Sequence, residues 1–267
     1  MKEISSKDNR IIREASSLSE KKRRDDKGLF IIEGPNLLRE ALDENMQVSS
    51  VFVLCGGETP EILELAQEAE LRGCQLFSVS REAFMKLAQT DSPQGIIAVC
   101  AKKRFTDDEL FGKDGSNILV LDRIQDPGNM GTLLRTADAA GFSGVLLIRG
   151  SVDPYSPKVV RAAAGSVFRI PLKTGLDPVE TIGLLKNHGK KPVAAAMDAT
   201  RAYYDENLSD NLALIVGNEG NGVSEELMKL ACHISIPMAG RTESLNAALA
   251  GGIIMFEALR QKSLKKR

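Results

Sequence analysis

Leu214-Ile215-Val216-Gly217-Asn218-Glu219-Gly220-Asn221-Gly222-Val223-Ser224 decides how the second half of this chain folds. Its apolar run is too short for a helix and breaks into closely spaced glycines, with Ser224 followed by Glu225 and Glu226. That order reads as a buried strand turning into a helix capped at Ser224. Glycines at such a turn let a ligand come close to the backbone. Capping does not account for Glu219. A carboxylate at the end of a buried strand costs desolvation unless a partner or a reaction uses it.

The same rhythm recurs on both sides of this stretch. Buried-strand candidates lie at 118–121, 145–148, 168–171, 192–196, 212–216 and 234–236, with helices between them. A final long helix is expected from about Ser244, with Leu245, Ala248, Leu249, Gly252, Phe256 and Leu259 as its core stripe. Upstream, apolar runs at 29–32, 51–54, 75–77 and 96–99 alternate with amphipathic stretches, one carrying Ile62, Leu65, Ala66 and Ala69 on a single face. Strands alternating with helices imply α/β sheets covered on both faces. The polar stretch KKRFTDDELFGKDGSN at 102–117 ends in Gly and Ser. It divides the chain into a smaller α/β domain at 1–103, a linker at 104–116 and a larger α/β domain with a parallel sheet at 117–267.

Two more segments place polar groups at strand ends. Asp126-Pro127-Gly128-Asn129-Met130-Gly131-Thr132-Leu133-Leu134-Arg135 follows the strand at 118–121 and enters a helix. Gly131 and Arg135 share a helical face, and helical side chains lean toward the N-terminus, so the guanidinium can lie back toward Asn129. Converging amide, N–H and guanidinium groups suit a phosphate or a developing oxyanion. A capping Asn beside an ordinary surface Arg is the competing reading. The other segment runs Ile234-Ser235-Ile236-Pro237-Met238-Ala239-Gly240-Arg241-Thr242-Glu243-Ser244-Leu245-Asn246, with Ser244 expected as a helix cap and Asn246 inside the first turn. All three segments follow strands, at the edge where open α/β sheets collect ligands. Neither a Gly-x-Gly-x-x-Gly dinucleotide pattern nor a P-loop occurs.

With 35 Lys and Arg against 36 Asp and Glu in 267 residues, the net charge is -1, so a nucleic-acid surface has to come from local clustering. Such a cluster stands in the first 27 residues: Arg10, Arg13 and then Lys21-Lys22-Arg23-Arg24. It reads as a charged helical arm, either a solvated surface helix or a phosphate contact. Without Trp and with 4% aromatics, a site built on stacked bases is hard to assemble. Four dispersed Cys and two His argue against a zinc site. A charged start and the lack of a long apolar run predict a cytoplasmic protein.

Taken together, Asn129-x-Gly131-x-x-x-Arg135, Gly217-Asn218-Glu219-Gly220-x-Gly222, and Ile236-Pro237-Met238 through Ser244-Leu245-Asn246 resemble the three motifs of the SpoU-TrmH family of RNA ribose 2'-O-methyltransferases, within the knotted SPOUT class. The catalytic resemblance covers about 117–260. Residues 9–102 are similar to the substrate-binding domain of the rRNA-modifying branch. The resemblance implies a trefoil knot, a homodimer and S-adenosylmethionine as cofactor, with no metal. It assigns cofactor binding to Val216, Gly217, Asn218, Ile236, Met238 and Leu245. Arg135, Asn129, Glu219, Ser244 and Asn246 become the catalytic candidates, with Asn129 orienting Arg135. Asn9, Arg10, Arg13, Lys21, Lys22, Arg23 and Arg24 become the RNA-contact candidates. The family casts the motif-one Arg as proton acceptor. Because arginine stays protonated, Arg135 can equally clamp phosphate and developing alkoxide, leaving the proton to Glu219 or water. One departure is Ala247-Ala248, where relatives often carry Val-Ser. The implied substrate is 23S rRNA, with tRNA, or a catalytically silent RNA-binding role, as alternatives.

Overall fold

The computed structural model describes residues 1–196, 199–242 and 244–265. The chain forms two compact units, Met1–Lys103 with Tyr155–Phe168, and Arg104–Pro154 with Arg169–Arg267. The first half contains β1 (Lys2–Ile4), α1 (Arg10–Ser16), α2 (Lys21–Lys27), β2 (Leu29–Glu33), α3 (Pro35–Asp43), β3 (Val48–Leu54), α4 (Pro60–Leu71), β4 (Gln75–Val79), α5 (Arg81–Leu87) and β5 (Ile96–Ala101). Then follow α6 (Asp107–Phe111), β6 (Ile118–Asp122), α7 (Pro127–Ala139), β7 (Gly144–Ile148), α8 (Pro157–Ala163), β8 (Leu172–Leu176), α9 (Pro178–Asn187), β9 (Lys191–Ala195), β10 (Leu212–Gly217), α10 (Glu225–Leu230), β11 (Cys232–Ile234) and α11 (Ala247–Lys265).

The N-terminal unit holds a mixed sheet in the order β1-β4-β3-β5-β2, in which β5 runs antiparallel to both of its neighbours. Its first residues are not an arm. β1 pairs with β4, and Ile4, Ile12, Ala15 and Leu18 enter one core with Phe52, Phe77 and Phe84. Apolar residues spaced among the charges are enough to pull this segment down. The segment Tyr155–Phe168 also belongs here. The Phe30 ring meets Tyr155 and Phe168 at centroid distances of 5.0 and 6.2 Å, and Lys102 Nζ lies 4.8 Å over Tyr155. The apolar run from Phe168 predicts a strand at that point. Phe168 instead ends a short 3-10 turn and packs against Phe30, so β8 starts only at Leu172.

In the C-terminal unit all six strands run parallel in the order β11-β9-β10-β6-β7-β8. The polar stretch expected as a linker contributes α6, closed by a Thr106/Glu109 capping box, and buries Leu110 and Phe111. From β6 the chain steps one way to β7 and β8, then crosses to β9 and β10 on the other side. The winding therefore reverses between β6 and β10, the position where the loops of adjacent strands diverge and leave a crevice. α11 packs on α7 through small residues: a Cβ at Gly251 would stand 2.6 Å from Leu133 Cδ2. Its buried side is Ala248, Gly251, Ile254, Met255 and Ala258. Leu249 and Phe256, expected inside, are 54% and 50% exposed. Small residues permit the close approach, so the helix turns inward the face on which Ala248, Gly251 and Ala258 stand beside Ile254 and Met255.

Candidate active site

Motif one and motif two meet because their strands are neighbours, with Gly217 paired to Asp122. After β6, Asp126 caps α7 by accepting the Asn129 N–H at 2.7 Å, and Pro127 sets the first helical turn. After β10 the chain doubles back: Asn218 and Gly222 exchange backbone hydrogen bonds of 3.0 and 2.9 Å. A Cβ on Gly217 would lie 2.3 Å from Gly222 C and Val223 N. Glycine at 217 thus admits the chain's own return, and Gly222 supplies the left-handed turn at φ +65°. The Asn218 side chain organises this loop. Its Oδ1 accepts from the N–H groups of Gly220 (3.0 Å) and Asn221 (2.9 Å), while Nδ2 donates to the Arg123 carbonyl at 2.9 Å.

Glu219 and two asparagines then join three distant segments. Glu219 Oε1 accepts from Asn129 Nδ2 at 2.9 Å and from the Asp126 N–H at 3.3 Å, and Oε2 accepts from the Gln125 N–H at 3.4 Å. Asn129 Oδ1 accepts from Asn246 Nδ2 at 2.8 Å. Partial burial pushes the Glu219 carboxyl upward, but hydrogen bonds from Asn129 and the nearby backbone outweigh it and hold the group below the ordinary glutamate range. Its negative charge sits at the start of α7, where the helix dipole also favours an anion. The same Asn246 starts the last helix, because its Oδ1 accepts from the Ala248 and Leu249 N–H groups at 2.9 and 3.2 Å. The cap of α11 is therefore Asn246, not Ser244, and the helix begins three residues later than the sequence suggests.

A cavity of about 650 Å³ opens beside this junction, within the roughly 300–1,000 Å³ span of small-molecule sites. All six expected cofactor contacts, Val216, Gly217, Asn218, Ile236, Met238 and Leu245, line it, as do Glu219, Ser244 and Asn246. Apolar walls of Val216, Ile236, Met238 and Leu245 beside bare glycine backbone suit a flat heterocycle read through main-chain groups. Among the described residues no group of His, Cys, Asp and Glu could hold a metal ion.

The remaining candidates fall differently. Arg135 is exposed on α7 and makes no hydrogen bond or ion pair among the described residues, so Asn129 orients Glu219 and not Arg135. In the N-terminal unit Arg13, Lys21, Lys22 and Arg23 are exposed and unpaired among the described residues, and Arg10 pairs with Glu14 at 2.7 Å. Asn9 caps α1 by accepting the Ile11 N–H at 2.8 Å. Arg24 is no surface cation. It is 3% exposed and donates to the Leu18 and Ser19 carbonyls at 2.8 and 2.7 Å, closing the turn before α2.

Residues 116–256 match the profile of the SpoU rRNA methylase family. The chain belongs to that family. A second profile, the MRM3-like substrate binding domain, matches residues 9–98. Over 257 residues the chain is 36% identical to the Bacillus subtilis 23S rRNA (guanosine(2553)-2'-O)-methyltransferase RlmP, covering 96% of this chain and 98% of that one. An AdoMet-bound rRNA methyltransferase from Sinorhizobium meliloti superposes with a TM-score of 0.87 at 33% identity, covering 97% of both chains. The SpoU methyltransferase AviRb from Streptomyces viridochromogenes, in complex with AdoMet, gives a TM-score of 0.87 at 26% identity over 96% of this chain and 98% of that one.

Some parts of this SpoU site have no signal in the sequence. Ala195 and Ala196 line the cavity because β9 lies beside β10, and Ala250 because α11 passes over it. Asp122 is fully buried at the end of β6 and accepts the Ser224 N–H at 2.5 Å, tying motif one's strand to motif two's helix. An acid closing an apolar strand is the available clue. Ser224 precedes α10 as expected, but its buried hydroxyl makes no hydrogen bond among the described residues; Asp122 holds that turn instead.

Proposed function

We propose that this protein transfers the methyl group of S-adenosylmethionine to a ribose 2'-hydroxyl of 23S rRNA. One observation carries the reading: Glu219, Asn129 and Asn246 hydrogen-bond the three family motifs into a single junction, and two of these residues also line the cavity. The cavity fits the cofactor in size and lining, with Gly217, Ile236, Met238 and Leu245 holding it mainly by main chain and Val216 packing beneath. When bound, the cofactor supplies an electrophilic sulfonium methyl. What the chain's own residues must do is align the ribose oxygen and manage one proton and a developing negative charge.

Arg135 meets that charge. It is permanently protonated, free of internal partners among the described residues, and can fork onto an RNA phosphate or the forming alkoxide. Glu219 is held ionised by donors that occupy both oxygens, which makes it a weak base; it positions loops, and water takes the proton. Ser244 lies exposed on the cavity and serves the ribose, while Asn246 fixes the loop. Arg10, Arg13, Lys21, Lys22 and Arg23 supply RNA contact from the N-terminal domain, 1–103, with the catalytic domain at 117–267. The exposed Leu249, Phe256 and Leu264 on α11 support a homodimer. A trefoil knot in the catalytic domain and a cytoplasmic location complete the reading.

Single-turnover transfer from labelled S-adenosylmethionine to a 23S rRNA transcript, with the ribose mapped, tests it. Label at one 2'-oxygen of that transcript is expected. Label on tRNA alone replaces the substrate, and calorimetry showing no cofactor binding overturns the reading.

A further inference from the structure

Among the described residues, four that are not glycine have positive φ: Asn45, Arg123, Ala164 and Asn211. Asparagine tolerates that region, and Ala164 merely ends α8. Arg123, at φ 59°, has neither reason. It is the first residue after β6, at the sheet edge that carries the site, and a long side chain in this backbone state is a strained choice.

Its surroundings hold the residue through both its side chain and its backbone. The fully buried Asp122 accepts Arg123 Nε at 2.9 Å through Oδ1, while its Oδ2 is taken by the Ser224 N–H. The Arg123 carbonyl is fixed by Asn218 Nδ2. Opposite the stem stands Gly150, at φ +99°, where a Cβ would come within 3.2 Å of Arg123 Cγ. The two terminal Nη groups make no hydrogen bond or ion pair among the described residues, and the side chain is 37% exposed. An arginine needed only to neutralise Asp122 has no use for an exposed, unoccupied end. Gln125 and Asp126, whose N–H groups grip Glu219, are two and three residues away, so the Cα of Arg123 lies within about 7–10 Å of theirs.

We propose that Arg123 is a second clamp on the RNA, its free guanidinium end taking a phosphate that flanks the target ribose. This rests on the methyltransferase reading above and adds to it a preorganised anion contact outside the three motifs. A planar fork held at Nε still offers paired N–H donors that match phosphate oxygens.

Two variants test it in the full chain. Arg123→Gln keeps a donor for Asp122 but no charge, and Arg123→Gly suits the backbone at this position. Both should keep the wild-type affinity for S-adenosylmethionine. Their binding to a 23S rRNA transcript should show a log Kd against log salt slope smaller by roughly 0.7–0.9, as expected when one phosphate is no longer neutralised. Arg123→Lys should restore the slope and leave the single-turnover rate reduced, because a point charge replaces the fork. Unchanged slope and RNA affinity in the folded Gln and Gly variants overturn the proposal. Failure of both to fold also overturns it, since Arg123 would then serve Asp122 alone. A wild-type chain that methylates no RNA removes the underlying reading instead, and that outcome is visible before any variant is made.

Discussion

The two sheets of this chain are built from the same kinds of strand and place their charged groups in opposite ways. In the N-terminal unit, a mixed sheet covered by short helices leaves its cations outside, and Lys21, Lys22 and Arg23 are exposed and unpaired among the described residues. In the C-terminal unit, an all-parallel sheet reverses its winding between β6 and β10, and the polar groups at that point are tied to one another beside a cavity. A surface meant for a long polyanion gains from mobile, screened charges that each release a counterion. A site that must align one bond gains from groups that cannot move. Burial therefore has opposite meanings in the two units: Arg24, buried among its neighbours, is spent on the Leu18 and Ser19 carbonyls, whereas Asp122, buried at the switch point, ties motif one's strand to motif two's helix.

Arg135→Ala puts this contrast at greatest risk. If the second unit works by a charge brought to the reacting centre, turnover should fall by about 100- to 1000-fold with cofactor affinity retained, since a charge-stabilising donor is removed. Arg135→Lys should recover little. Single-turnover methylation alongside calorimetry decides it. Near-normal turnover in the alanine variant would make Arg135 a surface residue on a capped helix.

Gly217→Ala tests the close packing behind the cavity. The added methyl would meet backbone atoms at 2.3 Å, which no side-chain rotation relieves, so a loss of about 1–3 kcal/mol in stability is expected, together with loss of cofactor binding. Chemical denaturation and calorimetry measure both. A variant as stable as the parent would show that the Asn218–Gly222 turn has slack.

Why the sequence reveals the second unit's chemistry better than the first unit's fold follows from the same contrast. Motif residues cluster within a few positions of strand ends, and apolar runs bounded by glycines mark those ends, so β6, β10 and their loops are legible. So is the pairing of Glu219 with some partner, from the cost of leaving it alone. The partner itself is not: Glu219 and Asn129 are 90 positions apart, and nothing local says that they touch. The N-terminal charges mask β1 and the inward stripe of Ile4, Ile12, Ala15 and Leu18, because short amphipathic helices bury few residues per turn. In α11 the pattern misleads in phase, since Ala248, Gly251 and Ala258 share the packing with Ile254 and Met255 while Leu249 and Phe256 face out.

A finer distinction separates neighbours in sequence. Arg24→Ala should cost about 1–3 kcal/mol of stability by leaving the Leu18 and Ser19 carbonyls without their donor, with little direct effect on the salt dependence of RNA binding. Alanine at Lys21, Lys22 and Arg23 together should do the reverse: unchanged stability, and a salt slope flattened by roughly 0.7–0.9 for each phosphate left without its cation. Binding titrations at several salt concentrations, with melting curves, check the pair. Equal effects from the two variants would erase the distinction between buried and exposed cations in this unit.

The smallest effect concerns Glu219 and acid. Its folded-state carboxyl lies below the ordinary glutamate value of 4.5 because donors from Asn129, Gln125 and Asp126 favour the ion despite partial burial. A group depressed on folding stabilises the fold at pH above its unfolded value and loses that contribution as pH falls through the folded value. Stability attributable to Glu219 is thus fully present at neutral pH and drains away below about pH 4.5. Glu219→Gln removes the titration and also turns an NH2 group against one of the same donors. The variant should be slightly less stable than the wild type at neutral pH, and the two should converge as the pH is lowered through the acid range. Denaturant midpoints measured from neutral pH into that range give the two curves. Parallel curves would mean that the carboxylate's charge plays no part in holding β10 to α7, and the junction would then rest on the two asparagines.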